Sequence, residues 1–252
     1  MLKILAVIPA RIGSSRLPKK VLKEIRGEPM IINIVKNCLK IFEPENVIVL
    51  SDSKEVTNLF SDSSVKTFIT SEECTSGSER IASVLDDILE YSDSKLEETG
   101  IINVQADQPD LDVNIIKSIQ HALVNKSDIE VITPVYKIKK EKINDPNTVK
   151  VVIRKDGNAI YFSRNPIPFV RDEEYQNWHK KINFMGHVGI YGYRADVLKK
   201  WFEFPKSELE NAEKLEQLRL IDSGISIKTL LISNECKSID TQTDLDEFNK
   251  IR

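Results

Sequence analysis

The sequence predicts an α/β protein with a doubly wound, mainly parallel sheet. Short apolar runs alternate with amphipathic stretches through the first half of the chain, which is the pattern of repeated β-α-β units. A cation-rich loop directly follows the first apolar run, where open α/β sheets bind ligands. The chain has 252 residues, 40% of them hydrophobic, which is enough to bury a sizeable core. We interpret residues 1–252 as a single domain.

In the first half of the chain, predicted strands alternate with predicted helices. Ile4–Ile8 predicts a buried parallel strand, and Pro29–Phe42 carries apolar side chains at helical spacing before the strand Val47–Leu50. The same rhythm predicts strands at 65–69, 101–104 and 131–135 and helices at 78–91 and 112–123.

The second half is more irregular. The turn Lys155-Asp156-Gly157-Asn158 predicts a hairpin between strands at 149–153 and 159–163, and 170–183 predicts a loop. A strand at 186–193, helices near 195–202 and 208–223, and a strand-like run at 225–239 follow. Thr243 and Asp246 resemble a capping box that opens the final helix.

Residues 136–205 interrupt the regular alternation, and we interpret them as a β-rich segment inserted within the single domain. Its aromatic residues are available for a subunit contact, although core packing would also explain at least half of them. These residues are Tyr161, Phe162, Phe169, Trp178 and Phe184.

Composition excludes several classes of protein. The formal net charge of −3 does not favour a nucleic-acid binder with a broad basic surface. The three cysteines, Cys38, Cys74 and Cys236, are too few and too widely spaced for a disulfide framework or a zinc ligand set. No apolar run approaches the roughly 20 residues of a membrane span, and no targeting segment is evident. We therefore expect a cytoplasmic protein.

The loop from Pro9 to Lys20 is suited to binding a polyphosphate. Gly13, Ser14 and Ser15 allow main-chain N–H groups to approach phosphate oxygens. The cations Arg11, Arg16, Lys19 and Lys20 supply charge. The loop contains neither the P-loop pattern nor the dinucleotide-binding glycine pattern. A solvated basic turn is the alternative explanation.

Two aspartates are candidate metal ligands. Asp107 follows the strand at 101–104, so its carboxylate should lie at the same sheet edge as the basic loop. A carboxylate that faces a polyphosphate is repelled unless a hard cation lies between them, which favours Mg²⁺. An ordinary turn aspartate explains Asp107 equally well. Asp240 could be a second ligand, although a polar residue between a strand end and a helix cap is the simpler explanation for it.

Two further segments offer polar groups to a ligand. The run from Thr75 to Arg80 opens a helix, and capping would explain Ser76 or Ser78 but not Gly77 or Arg80, which would admit a ligand and add positive charge. His187 lies in a glycine-interrupted strand and, with Arg164 and Arg171, could help to hold an acidic sugar. A structural histidine is the simpler alternative. The charged segment 213–219 would otherwise be a solvated helix face.

Taken together, the motifs resemble one family, the CMP-Kdo synthetases, or 3-deoxy-manno-octulosonate cytidylyltransferases. They run in family order over essentially the whole chain. The motifs are Pro9-Ala10-Arg11 through Arg16-Leu17-Pro18-x-Lys20, Ser76-Gly77-Ser78-Glu79-Arg80, Val104-Gln105-x-Asp107, Tyr161-Phe162-Ser163-Arg164, His187-x-Gly189-Ile190-Tyr191-Gly192-Tyr193-Arg194, Leu215-Glu216-Gln217-Leu218-Arg219 and Ile239-Asp240-Thr241.

The resemblance implies a Rossmann-like sheet of the nucleotide-diphospho-sugar transferase type and a cytoplasmic homodimer that serves lipopolysaccharide synthesis. It implies transfer of CMP from CTP to the acidic sugar Kdo, with release of pyrophosphate. By the same resemblance Asp107 and Asp240 would hold Mg²⁺ and, with Lys20, form the catalytic set. The nucleotide side would comprise Ala10, Arg11, Ser14, Arg16, Lys20, Ser76, Gly77, Arg80 and Gln105. The sugar side would comprise Arg164, His187, Tyr191, Glu216 and Gln217.

The chain departs from the family pattern at three positions. The family usually has glycine in place of Lys19 and Ala106 and glutamate in place of Gln108. Two alternatives to Kdo transfer therefore stay open: a cytidylyltransferase for a close analogue such as 8-amino-Kdo or another acidic sugar, and a catalytically silent nucleotide-binding protein.

Overall fold

The computed structural model describes residues 2–250 and confirms the predicted fold class. Within this range twelve strands are present: β1 Lys3–Pro9, β2 Glu24–Ile25, β3 Glu28–Pro29, β4 Val47–Ser51, β5 Lys66–Ile69, β6 Thr99–Asn103, β7 Val131–Lys137, β8 Lys150–Ile153, β9 Ala159–Ser163, β10 Met185–His187, β11 Tyr191–Arg194 and β12 Ile227–Leu231. The helices are α1 Met30–Cys38, α2 Lys54–Thr57, α3 Gly77–Ser83, α4 Leu85–Tyr91, α5 Val113–Asn125, α6 Trp178–Lys181, α7 Ala195–Lys199, α8 Glu208–Glu213, α9 Gln217–Asp222 and α10 Gln242–Lys250.

Ten of these strands form one mixed sheet in the order β5-β4-β1-β6-β11-β7-β10-β8-β9, with β12 paired to β7. The pairs β5·β4, β4·β1, β1·β6 and β7·β12 are parallel, whereas β10 and β11 run antiparallel to their neighbours. The strands β8, β9, β10 and β11 of the segment 136–205 therefore belong to the main sheet: β11 lies between β6 and β7, and β10, β8 and β9 continue the sheet beyond β7.

Helices cover both faces of the sheet, as a doubly wound fold requires. Alternate side chains of β1 enter two separate cores: Ile4 and Ile8 pack with α1 and α5, whereas Leu5 and Val7 pack on the other face with α3, α4 and α7. The first strand is buried on both faces, which explains its uninterrupted apolar run.

Three predicted elements are each divided in two. The helix predicted at 78–91 breaks at Val84, whose backbone leaves the helical region. The strand predicted at 186–193 is interrupted between β10 and β11. The helix predicted at 208–223 ends at Lys214, which has a left-handed φ of 54°. This last break makes residues 214–216 a turn between α8 and α9.

Smaller expectations also need correction. The predicted loop 170–183 contains α6, and the strand-like run 225–239 forms only β12. The cap of α10 is made by Thr241 and Asp244, because Asp244 N–H donates to Thr241 Oγ1 and Thr241 N–H donates to Asp244 Oδ2. The proposed capping box of Thr243 and Asp246 was therefore placed two residues too late.

Core packing claims three of the five aromatic residues proposed for a subunit contact. Phe162, Trp178 and Phe184 are buried, whereas Phe169 is 75% exposed and Tyr161 is half-buried.

Candidate active site

Two adjoining cavities open at the carboxyl edge of β1 and β6. The larger has a volume of about 950 Å³ and the smaller about 250 Å³. Both are lined by Arg16, Gln105, Asp107 and Asp240, so these residues mark the junction. These residues come from the beginning, the middle and the end of the chain, and the two cavities that they join form a single cleft with two compartments.

The basic loop lines the smaller cavity. Arg11, Gly13, Ser14 and Ser15 all border it, as the polyphosphate prediction requires. The loop is held against the end of β4, because Ile12 N–H donates to Asp52 Oδ1 at 2.8 Å.

Lys20 lies at the centre of the junction between the cavities. Its Nζ donates to Asp107 Oδ2 at 2.7 Å and to Asp240 Oδ1 at 2.9 Å. Arg16 Nη2 lies 3.1 Å from the same Asp240 oxygen. The structure therefore places the three predicted catalytic side chains in direct contact, although 220 residues separate Lys20 from Asp240 along the chain.

These contacts set the charge states at the junction. Burial on its own would raise the pKa of Asp240, but the charge and hydrogen bond of Lys20, with Arg16 and Ser238, outweigh it and lower the pKa. For Lys20, burial opposes the charged form, yet Asp107 and Asp240 together raise its pKa. Asp240 and Lys20 therefore remain charged at neutral pH.

The donor set at the junction fits a hard cation. Among residues 2–250 no group of three or more His, Cys, Asp or Glu side chains is arranged to hold a metal. Mg²⁺, however, is commonly bound by one or two carboxylates together with substrate phosphates rather than by a full protein cage. Asp107 and Asp240, which both approach one ammonium group within 3 Å, supply such a pair.

The predicted nucleotide residues have unequal access to the cleft. Ser76, Gly77, Arg80 and Gln105 line the smaller cavity. Ala10 is fully buried, and both its main-chain polar groups are bonded within the protein, to Leu50 O and Ser51 Oγ.

Arg80, which was expected to face a phosphate, is paired with a carboxylate of the protein. Its guanidinium is buried and lies 3.3 Å from Asp52 Oδ2, and it also donates to Thr70 Oγ1 and Ser71 O. Asp52 therefore balances the positive charge that Arg80 was expected to add near a phosphate. Asp52 was missed by the sequence reasoning, although it follows the buried strand β4 at the ligand-binding edge and could have been found by that position.

Gly77 is also explained by packing. A Cβ at this position would lie 3.1 Å from Asn103 Nδ2, so the helix start fits closely against β6. Ser76 caps α3 by accepting from Glu79 N–H at 3.2 Å.

All five predicted sugar residues line the larger cavity, and these are Arg164, His187, Tyr191, Glu216 and Gln217. The Nε2 group of Gln217 is buried and has no hydrogen-bond partner in the part of the chain that the structure describes. An unpaired buried donor on a cavity wall is suited to a polar ligand. Arg171 is 88% exposed at its side chain and does not line the cavity, so the structure does not bring it together with the other predicted sugar residues.

Burial shifts the pKa values of two titratable groups in the wall of the larger cavity, His187 and Glu216. Burial lowers the pKa of His187 to about 3, so the ring is neutral at physiological pH. Its Nε2 lies 3.0 Å from Thr133 Oγ1. Burial raises the pKa of Glu216, although hydrogen bonds from Ser76 and Ser78 partly oppose that effect.

The segment 213–219 is not the solvated face that its charge suggests. Gln217 and Arg219 are buried, and Arg219 makes a bidentate ion pair with Glu210 at 2.7 and 2.8 Å. Lys214, Glu216 and Gln217 face the cavity because the break between α8 and α9 turns the chain toward it.

The three departures from the family pattern lie close to the junction. Lys19 has a left-handed φ of 53°, a conformation that favours glycine, and pairs with Glu55 at 2.5 Å on the surface. Ala106 is buried beside the smaller cavity. Gln108 is buried beside the larger one, and its Oε1 has no partner among the described residues.

Comparisons with known proteins show the family to which the chain belongs. A family model described as cytidylyltransferase matches residues 5–228. The 3-deoxy-manno-octulosonate cytidylyltransferase of Thermodesulfovibrio yellowstonii is 37% identical over 98% of this chain and 96% of its own length. The Escherichia coli protein of the same name is 35% identical over 100% of this chain and 96% of its own.

A solved structure, that of a CMP:2-keto-3-deoxy-manno-octonic acid synthetase complexed with CTP, has a TM-score of 0.88 and 33% identity. The match covers 99% of this chain and 98% of that one. Within residues 2–250 no helix has both the length and the apolar character needed to cross a membrane.

Proposed function

The chain belongs to the cytidylyltransferase family that includes the 3-deoxy-manno-octulosonate cytidylyltransferases, and we propose on this basis that it transfers CMP from CTP to Kdo. The products are CMP-Kdo and pyrophosphate. The observation that carries the proposal is the junction where Lys20 joins Asp107 and Asp240 between a phosphate-suited cavity and a larger polar one.

The two compartments suit two anionic substrates. The loop with Arg11, Ser14 and Arg16 would hold the triphosphate, and the larger cavity would hold the acidic sugar. In the reaction, the oxygen of the sugar's anomeric hydroxyl attacks the α-phosphorus of CTP and gives up its proton to solvent. The bond from that phosphorus to the oxygen bridging the α- and β-phosphates breaks, and pyrophosphate leaves with that oxygen. The two anions repel each other, so the principal task of the protein is to position them and neutralise their charge.

This chain supplies that neutralisation with its own residues. Arg16 and Lys20 border the smaller cavity, and both would lie against the triphosphate. Mg²⁺, held by Asp107 and Asp240, would add charge neutralisation at the reacting phosphate. On the sugar side, the neutral ring of His187, the unpaired Nε2 of Gln217 and the guanidinium of Arg164 would orient hydroxyl and carboxylate groups.

The assay is pyrophosphate release measured over CTP, UTP, ATP and GTP crossed with Kdo, 8-amino-Kdo and N-acetylneuraminate, with and without Mg²⁺. We expect turnover with CTP and Kdo that requires Mg²⁺. Efficient turnover with another sugar and not with Kdo would assign the activity to that sugar. Binding of CTP without pyrophosphate release for any sugar would favour a silent nucleotide-binding protein.

We further propose a cytoplasmic homodimer that supplies lipopolysaccharide synthesis. The three cysteines, Cys38, Cys74 and Cys236, are free thiols, which suits a reducing compartment. Phe169, Tyr175 and Ile182 remain exposed around Trp178 and form an apolar patch suited to a second copy of the chain. Light scattering of the purified protein and of Phe169→Glu should give the mass of a dimer and a reduced mass, respectively.

A further inference from the structure

Lys150 is a fully buried lysine outside the set of residues already assigned. It opens β8, and its Nζ donates to three main-chain carbonyl oxygens: Asp145 O at 2.8 Å, Thr148 O at 2.7 Å and Arg164 O at 2.6 Å. An ammonium group has three N–H donors, so every donor is used.

The ammonium of Lys150 is held by carbonyl dipoles and not by a direct ion pair with a carboxylate. Burial lowers its pKa, and the more distant charges of Asp145 and Glu213 partly oppose that effect. Among residues 2–250 no acidic side chain lies within ion-pair distance of its Nζ. The carboxylate of Asp145, the nearest in sequence, instead accepts from Lys142 Nζ and from Asn147 N–H. Burying a charge is unfavourable unless it is fully hydrogen-bonded, so this position is unusual for a lysine.

The three carbonyls belong to two parts of the cavity wall. Residues 145–148 form a turn from which Asp145, Asn147 and Thr148 line the larger cavity. Arg164 lies beyond the end of β9, and its side chain lines the same cavity. Lys150 therefore ties the turn to the main chain of a proposed sugar-facing residue.

Arg164 also binds a third part of the cavity wall, the end of α8. Its Nη1 donates to Pro146 O at 3.0 Å, and its Nε donates to Glu213 O at 2.7 Å at the end of α8. The main-chain N–H of Arg164 also donates to Glu213 Oε2 at 2.9 Å. The turn, the end of β9 and the corner after α8 thus form one hydrogen-bonded unit with Lys150 at its base.

We propose that Lys150 is a positioning residue that sets the shape of the sugar-binding wall by holding the 145–148 turn against Arg164. This inference rests on the proposed function for its substrate. Its ammonium also places positive charge behind the wall that would face the sugar carboxylate. Lys150 has no contact with the smaller cavity, so its effect should be specific to the sugar.

The test compares Lys150→Met with Lys150→Gln and the control Lys228→Met. Lys228 also donates to a main-chain carbonyl, that of Asp156 in the hairpin turn, but it does not line either cavity. We expect Lys150→Met to raise the KM for Kdo about tenfold or more, with the KM for CTP within about twofold of wild type. Lys150→Gln, which keeps two donors without the charge, should have an intermediate KM for Kdo.

Hydrogen exchange gives a second measurement that does not depend on the sugar. The amides of residues 145–149 should exchange faster in both Lys150 variants, whereas those of β1 and β4 should be unchanged. An unchanged KM for Kdo, or a parallel rise in both KM values, would overturn the proposal. If wild type does not turn over Kdo, the proposed function fails, and unaltered exchange at 145–149 would then be the result that overturns the role of Lys150.

Discussion

Asp240→Asn is the change that most directly tests the junction. The substitution keeps the shape of the side chain and removes its charge. In wild type, Asp240 Oδ1 accepts from Lys20 Nζ at 2.9 Å and lies 3.1 Å from Arg16 Nη2. We expect kcat to fall about 100-fold, as for other losses of an electrostatic stabiliser at a reacting centre.

The size of the expected fall in kcat follows from the exposure of Arg16 and Lys20, the two side chains that contact Asp240. The Arg16 side chain is 57% exposed, so solvent screens its pair with Asp240 and that contact contributes little. The Lys20 side chain is only 15% exposed. A hydrogen bond between charged groups contributes about 1.5–3 kcal/mol, and a loss near the upper end of that range corresponds to about a 100-fold change in rate.

The assay is steady-state pyrophosphate release with CTP and Kdo over a range of Mg²⁺ concentrations. Asp240→Asn should also need more Mg²⁺ for half-maximal rate, because one of the two proposed ligands loses its charge. Asp246→Asn is the matched control: Asp246 is an exposed residue of α10, the helix that follows Asp240, accepts a hydrogen bond from Gln242, and does not line either cavity.

Two outcomes would refute this reasoning. Full turnover by Asp240→Asn would show that the carboxylate has no role in charge stabilisation. Equal losses in Asp240→Asn and Asp246→Asn would show that the effect comes from disturbance of α10 and not from the junction.

Three further predictions concern other parts of the cleft. Asp52→Asn should raise the KM for CTP with a smaller effect on the KM for Kdo, because Asp52 holds both the basic loop and Arg80; equal effects on the two KM values would contradict this. Lys19→Gly should raise Tm by about 2–4 °C, since relief of a left-handed lysine is worth about 1 kcal/mol, and an unchanged or lower Tm in calorimetry would contradict it. The NMR signals of His187 should not titrate between pH 5 and 8, because burial lowers its pKa to about 3. Since this folded-state pKa lies below the unfolded value, protonation favours unfolding, and the contribution of His187 to stability should fall as the pH drops below about 6.5.

The sequence predicts the regular half of the fold well because local pattern and tertiary environment agree there. The strands β1 and β4 are buried on both faces, and their apolar runs indicate this directly. The breaks within α3–α4 and α8–α9 were not predicted, because neither Val84 nor Lys214 is a typical helix breaker. Lys214 has a left-handed φ of 54° at the end of α8, a position that glycine or asparagine usually fills, so its residue type does not signal the break.

Some features of the candidate site could be predicted from the sequence, and others could not. Asp107 could be placed at the ligand edge from its position after a strand, whereas pairing it with Asp240 required the resemblance. For Arg80 the sequence alone was misleading. Its charge suggests a phosphate contact, but only the structure shows that Asp52 neutralises it.

The charge arrangement at the junction explains why a lysine lies between the two proposed metal ligands. Without Lys20, two carboxylates would face each other, and one of them would tend to take up a proton. Lys20 lowers the pKa of Asp240 and so keeps this carboxylate ionised before any substrate arrives. Lys20 uses two of its three N–H donors on Asp107 Oδ2 and Asp240 Oδ1. When an anionic triphosphate enters the smaller cavity, the same ammonium can donate its third hydrogen bond to a phosphate oxygen, and the second oxygen of each carboxylate stays available to a cation. The junction is therefore prepared for binding without a change of protonation at Asp240, which predicts that Lys20→Met should impair turnover even at saturating Mg²⁺.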